Sequence, residues 1–217
     1  FPIIYSNPDK TAGWENTIRP ASLSRSNANN TPTWDMVKAF PMLDGKSFDD
    51  PTGKYYVGNE DVFLQRYWMN RDPRFEDCIL YNAALYPVSG TSTGYRQYTS
   101  VGIAVREDSY GINPNVGRKK KKNDVISGMY VRKGSDVSLS QDLVSTFDHD
   151  YPFMRLAEVM FIYAEAANEV GHRDVAVDML KQIRKRAGIE AGEDGLYGLK
   201  VGGREEIRQA ILDERNV

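Results

Sequence analysis

From Arg155 to Gly188 apolar residues recur every third or fourth position and no proline interrupts them, which makes a pair of helices the one reading the pattern admits. In the first half, RLAEVMFIYAEAANEVG, the residues Leu156, Val159, Met160, Tyr163, Ala167 and Val170 define one predicted helical face, and Gly171 ends it. Asp174 is the predicted N-cap of the second helix. Its inner face is read as Ala176, Met179, Leu180, Ile183 and Ala187, with Arg184, Lys185 and Arg186 in the last turn and Gly188 beyond. Ala164 and Ala176 offer only methyl groups where the helices are predicted to cross, so the two can approach closely. A third helix is predicted from about Arg204, with Glu205 and Glu206 in its first turn and Ile207, Ala210 and Ile211 facing inward.

Arg155 to Gly188 spans 34 residues, the period of a tetratricopeptide repeat. Met160-x2-Tyr163-Ala164-x2-Ala167 followed by Ala176-x3-Leu180 fits that repeat in loosened form. One such hairpin cannot bury its second face alone, and the chain shows no second copy. The outer face is therefore expected to pack on the first part of the chain or on sibling repeats in sequence outside it.

The first 150 residues have another texture. All ten prolines and all three tryptophans lie at or before Pro152. TPTWDMVKAFP predicts a short helix capped by Thr33, with Val37 and Phe40 inward and Pro41 as the stop, and DVFLQRYWMN predicts another. Trp34 and Trp68 sit inside these apolar patterns and are expected in the core. Val101, Ile103 and Val105 alternate as a strand does, and SGMYVRK predicts a second strand. Between these lie long polar, turn-forming stretches, among them the segment from Tyr86 to Ser100. Loops of that length are functional or disordered more often than not.

Several function classes find no support. A net charge of -2 gives no basic field for nucleic acid, and the run from Lys119 to Lys122 reads as a solvated loop. No apolar run approaches the ~18 residues of a membrane span, and FPIIYSNPDK lacks the regions of a signal peptide. Gly45-Lys46-Ser47 lacks the earlier glycine of a phosphate loop, because Phe40 stands there. The two histidines, His149 and His172, fit no metal-binding spacing, and no serine occupies a nucleophile elbow. Glu158, Glu165 and Glu169 could serve a glycosidase by residue type, yet their spacing strings them along the side of one helix. Cys78, the sole cysteine, reads as a small buried hydrophobe, and Asn70-Arg71-Asp72-Pro73-Arg74-Phe75 as scaffold. No catalytic residue, metal or cofactor is expected.

TPTWDMVKAFPMLDGKSFDD, NRDPRFEDCILY, SGMYVRK, YPFMRLAEVMFIYAEAANEVG with IRKRAGI, and EEIRQAILDER follow one another in an order that resembles the C-terminal half of SusD/RagB proteins. The resemblance runs from about Thr31 to Arg215. It implies a mainly α fold, a scaffold of tetratricopeptide-like hairpins carrying long irregular loops and a few short strands. Residues 1–150 would be the loop-rich, ligand-facing part. Residues 151–217 would be the hairpin and the start of a third helix, with the N-terminal half of the family fold, including its lipid-bearing cysteine, outside this chain.

Functionally the resemblance implies a lipid-anchored, surface-exposed protein of the bacterial outer membrane that captures a glycan or other nutrient without catalysis and passes it to a SusC-like TonB-dependent transporter. A pyranose has a C–H face that suits a flat aromatic ring and a hydroxyl edge that suits Arg, Asn or Asp. Trp14, beside Glu15, Asn16 and Arg19, supplies both, as do Tyr86, Tyr95, Arg96 and Tyr98 in the segment from Tyr86 to Ser100. The alternatives are a helical-repeat adaptor for protein or peptide and, further off, a glycoside hydrolase.

Overall fold

Helices carry most of the regular structure in the computed structural model, which describes residues 2–3, 13–20, 30–87, 96–97, 99, 128–146 and 150–217. In chain order the elements are β1 (Pro2–Ile3), α1 (Trp14–Ile18), α2 (Trp34–Ala39), α3 (Glu60–Leu64), α4 (Pro73–Cys78), β2 (Ile79–Leu80), β3 (Ala84–Leu85) and β4 (Arg96–Gln97). Next come β5 (Tyr130–Val131), a 3-10 helix over Gln141–Thr146, β6 (Tyr151–Pro152), α5 (Leu156–Glu169), α6 (Arg173–Ala187) and α7 (Arg204–Arg215). The chain forms two units, one of Asp35–Glu76 with Phe153–Val217 and the other of Pro2–Trp34 with Asp77–Pro152. The predicted strand at Val101 to Val105 lies outside the described residues.

In the first unit α5, α6 and α7 enclose one apolar core. It is built from Ala157, Phe161, Ala164 and Ala167 of α5, Ala176, Leu180 and Ile183 of α6, and Ile207, Ala210 and Ile211 of α7. The faces predicted for α6 and α7 are the buried ones. The face predicted for α5 is buried only at Ala167 and partly at Met160: Leu156 is 70% exposed, Tyr163 54% and Val170 72%, while Ala157, Phe161, Ala164 and Asn168 turn inward. This helix is apolar around much of its circumference, so periodicity offers two stripes, and close packing against two helices selects the one rich in alanine. Asn168 joins the buried stripe by donating from Nδ2 to the Arg204 carbonyl at 3.0 Å.

The hairpin ends follow backbone chemistry. The α6 N-cap position is His172, so Asp174 falls inside the first turn, where its charge still complements the helix dipole. Gly188 closes α6 at a φ of 87°, a left-handed conformation that side chains resist. At α3 the Asn59 side chain caps the helix by accepting from the Val62 N–H at 3.2 Å.

A buried ionic chain braces the same unit. Arg184 Nε lies 2.6 Å from Glu214, whose other oxygen lies 2.8 Å from Arg74, and Arg74 holds Asp72 at 2.5 Å. Arg71 donates to the carbonyls of Val37, Phe40 and Tyr67 and lies over the Phe75 ring. Burial pulls its pKa down to about 10, so it stays charged at neutral pH and spends that charge on main-chain dipoles. The Asn70–Phe75 segment is scaffold, as its sequence predicts.

Trp68 departs from expectation with 37% exposure, because α3 stops at Leu64 and the chain turns outward, leaving the indole edge-on against Tyr67. Trp34, the opening residue of α2, also departs from expectation at 38% exposure, while Val37, one turn on, is the buried residue of that helix. Cys78, at the end of α4, is half-buried and not sealed in the core.

In the second unit three antiparallel ladders, each two residues wide, pair β1 with β6, β2 with β5 and β3 with β4. Ile18, Ile79, Leu80, Ala84, Tyr86, Met129 and Val144 supply its buried side chains. The SGMYVRK segment forms β5 as predicted, with Ile79 opposite Val131 and Leu80 opposite Tyr130.

Candidate functional site

The five-residue helix α1 contains Glu15 and, one turn on, Arg19, and both are fully buried. A buried ion pair is tolerable only when its remaining lone pairs and protons are met. Here they are met by the segment that follows β5. Arg19 pairs with Glu15 through Nε and donates to the carbonyls of Leu139 at 2.9 Å and Asp136 at 2.5 Å. Glu15 accepts from the Asp136 N–H at 2.5 Å and the Ser135 hydroxyl at 3.0 Å. Tyr86 extends the network through a hydroxyl contact with Ser135. Burial holds the Tyr86 hydroxyl above the ordinary phenol range, so it remains protonated.

On this base stands Trp14. Its indole N–H donates to the Lys133 carbonyl at 2.9 Å, and the side chain keeps 39% exposure. Gly134 lies beneath the ring at a φ of 73°, and a Cβ there would approach Trp14 Nε1 to 3.2 Å. Main chain thus fixes the ring by one hydrogen bond while a missing side chain gives it room. In the neighbouring ladder Arg96 stands opposite Leu85 and donates to the Ala83 carbonyl at 2.7 Å. Arg132 donates to the Leu85 carbonyl at 3.0 Å and stacks over the Tyr86 ring.

The residues singled out from the sequence therefore divide. Trp14 and Arg96 are at the surface, whereas Arg19 and Tyr86 lie inside with their polar atoms bonded to protein, as the foundation of the site. Tyr95 and Tyr98 lie outside the described residues. Sequence reasoning missed Arg132, Lys133 and Gly134. The signal was there, since a strand ending in two basic residues and a glycine places exposed cations on a sharp turn, but nothing local ties that turn to Trp14.

Two of the three α5 glutamates are in ion pairs, and Glu165 is exposed on the helix surface. Glu158 pairs with Arg215 and Glu169 with Arg208 at 2.7 Å. A recess of 440 Å³ in the first unit is bordered by Asp50, Lys200, Glu206 and Asp213, but its acids serve the protein. Asp50 accepts from Thr52 and meets Lys200 at 3.2 Å, Glu206 accepts from the Gly202 N–H at 2.7 Å, and Asp213 accepts from Gln209 at 2.8 Å.

The profile of the SusD family matches residues 3–217. The chain belongs to the SusD family. Two solved SusD structures resemble it over 99% of its length, both from Bacteroides fragilis. One, a SusD-like protein, is 21% identical with a TM-score of 0.63, and the chain covers 39% of it. The other, a SusD-like carbohydrate binding protein, is 20% identical with a TM-score of 0.67, and the chain covers 37% of it. The chain thus spans under two fifths of the length of these solved SusD structures, and the likeness is one of fold. A comparison with curated proteins returns no match.

Proposed function

We propose that this SusD-family chain captures a glycan without catalysis, with Trp14 as the ring on which a sugar stacks and Arg96 among the groups that meet its hydroxyl edge. The observation that carries the reading is the Trp14 indole, tied by its N–H to Lys133 yet 39% exposed above a fully bonded buried network. A rigid, half-exposed ring loses little conformational freedom on binding, so more of the stacking energy is retained. Family membership supports the reading, as does the carbohydrate binding named for one solved structure of the same fold.

In the same proposal the protein works at the bacterial outer membrane, held by a lipid anchor outside this chain, and hands its ligand to a SusC-like TonB-dependent transporter. Among the described residues no helix is long and apolar enough to cross a membrane. Tyr95 and Tyr98 are proposed as further ligand contacts. Calorimetry with a glycan identified on an array provides the test. Trp14→Ala should weaken binding by about 1 kcal/mol or more while leaving the fold intact. Unchanged affinity in folded variants of Trp14, Tyr95 and Tyr98 would move the site elsewhere.

A second reading, a helical-repeat adaptor for protein or peptide, draws on one observation. Leu156, Val159, Tyr163 and Val170 form an exposed apolar stripe along α5. Binding to peptides and to no glycan would reverse the choice.

A further inference from the structure

We infer that the glycan taken at Trp14 is an acidic one, bearing carboxylate or sulfate groups, and that Arg96 and Arg132 recognise its charge; the inference rests on the reading of Trp14 as a sugar platform. The two guanidiniums approach one stretch of chain from two directions. Arg96, across the ladder from Leu85, bonds the Ala83 carbonyl, and Arg132 bonds the Leu85 carbonyl. Carbonyls two residues apart lie no more than about 7 Å from each other, so both guanidiniums are held to one short stretch of chain. Each bond uses one Nη1 and leaves other guanidinium N–H groups available. An arginine presents five donors in a planar fork suited to carboxylate and sulfate oxygens.

Neither arginine is neutralised by a neighbouring acid among the described residues; their partners there are main-chain carbonyls and, for Arg132, the Tyr86 ring. In this they differ from Arg19, Arg74, Arg184 and Arg208, which meet a Glu or Asp, and are like Arg66, Arg155, Arg173 and Arg186, but unlike those four they both bond one short stretch of chain. Two of the nearby acids are turned to other tasks. Glu15 is sealed beneath the site with Arg19, and the Asp136 carboxylate accepts from Ser138 within its own turn. The chain as a whole is net negative at -2, so this patch does not follow from a general excess of base. Arg132 is also the immediate neighbour of Lys133, whose carbonyl holds the Trp14 indole, and it lies over the ring of Tyr86, whose hydroxyl meets the Ser135 that bonds Glu15 beside Trp14. Aromatic face beside unmatched cations is the complement of a sugar that has a C–H face and an anionic substituent.

The experiment compares oligogalacturonate with its methyl ester, which has the same backbone without the charge, alongside chondroitin sulfate oligosaccharides and neutral malto-oligosaccharides. Binding to the whole protein is measured by calorimetry at low and at raised salt. The expected result is at least about tenfold tighter binding of an acidic glycan than of the neutral ones, weakening as salt rises. The R96Q/R132Q double variant, shown to be folded by its unchanged melting curve, should lose about tenfold for the acidic glycan and with it the salt dependence. If that variant unfolds, R96K and R132K taken singly replace it, and each should bind the acidic glycan more weakly than wild type because the planar fork is lost. Equal affinity for oligogalacturonate and its ester, or binding of neutral glycans that Trp14→Ala weakens and the arginine variants do not, overturns the inference and leaves the platform standing. Binding to anionic lipid vesicles but to no glycan, or to no glycan at all, overturns both.

Discussion

Glu15 and Arg19 sit four residues apart on α1 and read, in the sequence, as polar edges beside an exposed Trp. Both are fully buried, and the reason was not legible because their partners, Ser135, Asp136 and Leu139, stand at the far end of the unit's sequence. Glu15→Ala would leave the Arg19 guanidinium buried without its counter-charge and should destabilise the protein by about 3–5 kcal/mol, read from urea denaturation. A loss below about 1 kcal/mol would mean that the pair is solvated and the foundation of the site is misassigned. Exposure of the three tryptophans teaches the same lesson. They stand at 39%, 38% and 37% for Trp14, Trp34 and Trp68, although the apolar pattern predicts core positions for the last two. A pattern of apolar neighbours reports that an element has a core, not which side of a bulky ring meets it. Ala164, fully buried between helices, was legible through its small size, and Ala164→Arg should cost roughly 1–3 kcal/mol in overpacking and more for the charge, measured as a fall in Tm.

The α5–α6–α7 assembly shows what periodicity can and cannot give. Helix positions, the Gly188 stop and the inner faces of α6 and α7 follow from spacing alone. For α5 the spacing permits two answers, and the buried one is the alanine-bearing stripe that includes Phe161. Phe161→Ala should therefore destabilise by about 3–5 kcal/mol, whereas Val159→Lys, at a position 48% exposed, should change the stability of this 217-residue chain by under about 0.5 kcal/mol. Thermal denaturation of both variants checks the orientation of the helix, and the opposite ranking would rotate it. The loop at Asp50 makes a prediction in pH. Hydrogen bonds from the Thr52 hydroxyl and N–H, and then Lys200, lower the Asp50 pKa from 3.8 to about 2. A carboxylate held lower in the folded state binds protons more readily once unfolded, so it contributes stability that is complete above its unfolded pKa. That contribution disappears as pH falls from about 4 towards about 2. Asp50→Asn should flatten this part of the acid limb of the stability curve, and an unaltered limb would show that Thr52 and Lys200 do not hold the carboxylate.

The ladders of the second unit were only partly legible, since strands of two residues carry no usable alternation and only SGMYVRK announced itself. Nor could the interleaving of two units along one chain be seen from local pattern. Each unit joins distant stretches of sequence, Asp35–Glu76 with Phe153–Val217 and Pro2–Trp34 with Asp77–Pro152. Such closure has an entropic cost that grows slowly with loop length and must be met before the contacts form. For the sugar platform the arithmetic is stark, because the bonds from Glu15 and Arg19 reach across 117 to 121 residues. The turn on which the Trp14 indole rests lies 119 residues further along the chain, at Lys133. With Trp14 as the proposed platform, binding competence waits for a contact between segments 119 residues apart. In refolding from denaturant, recovery of glycan binding should coincide with the final closure of the second unit, and binding regained in an earlier phase would show that Trp14 needs no such support.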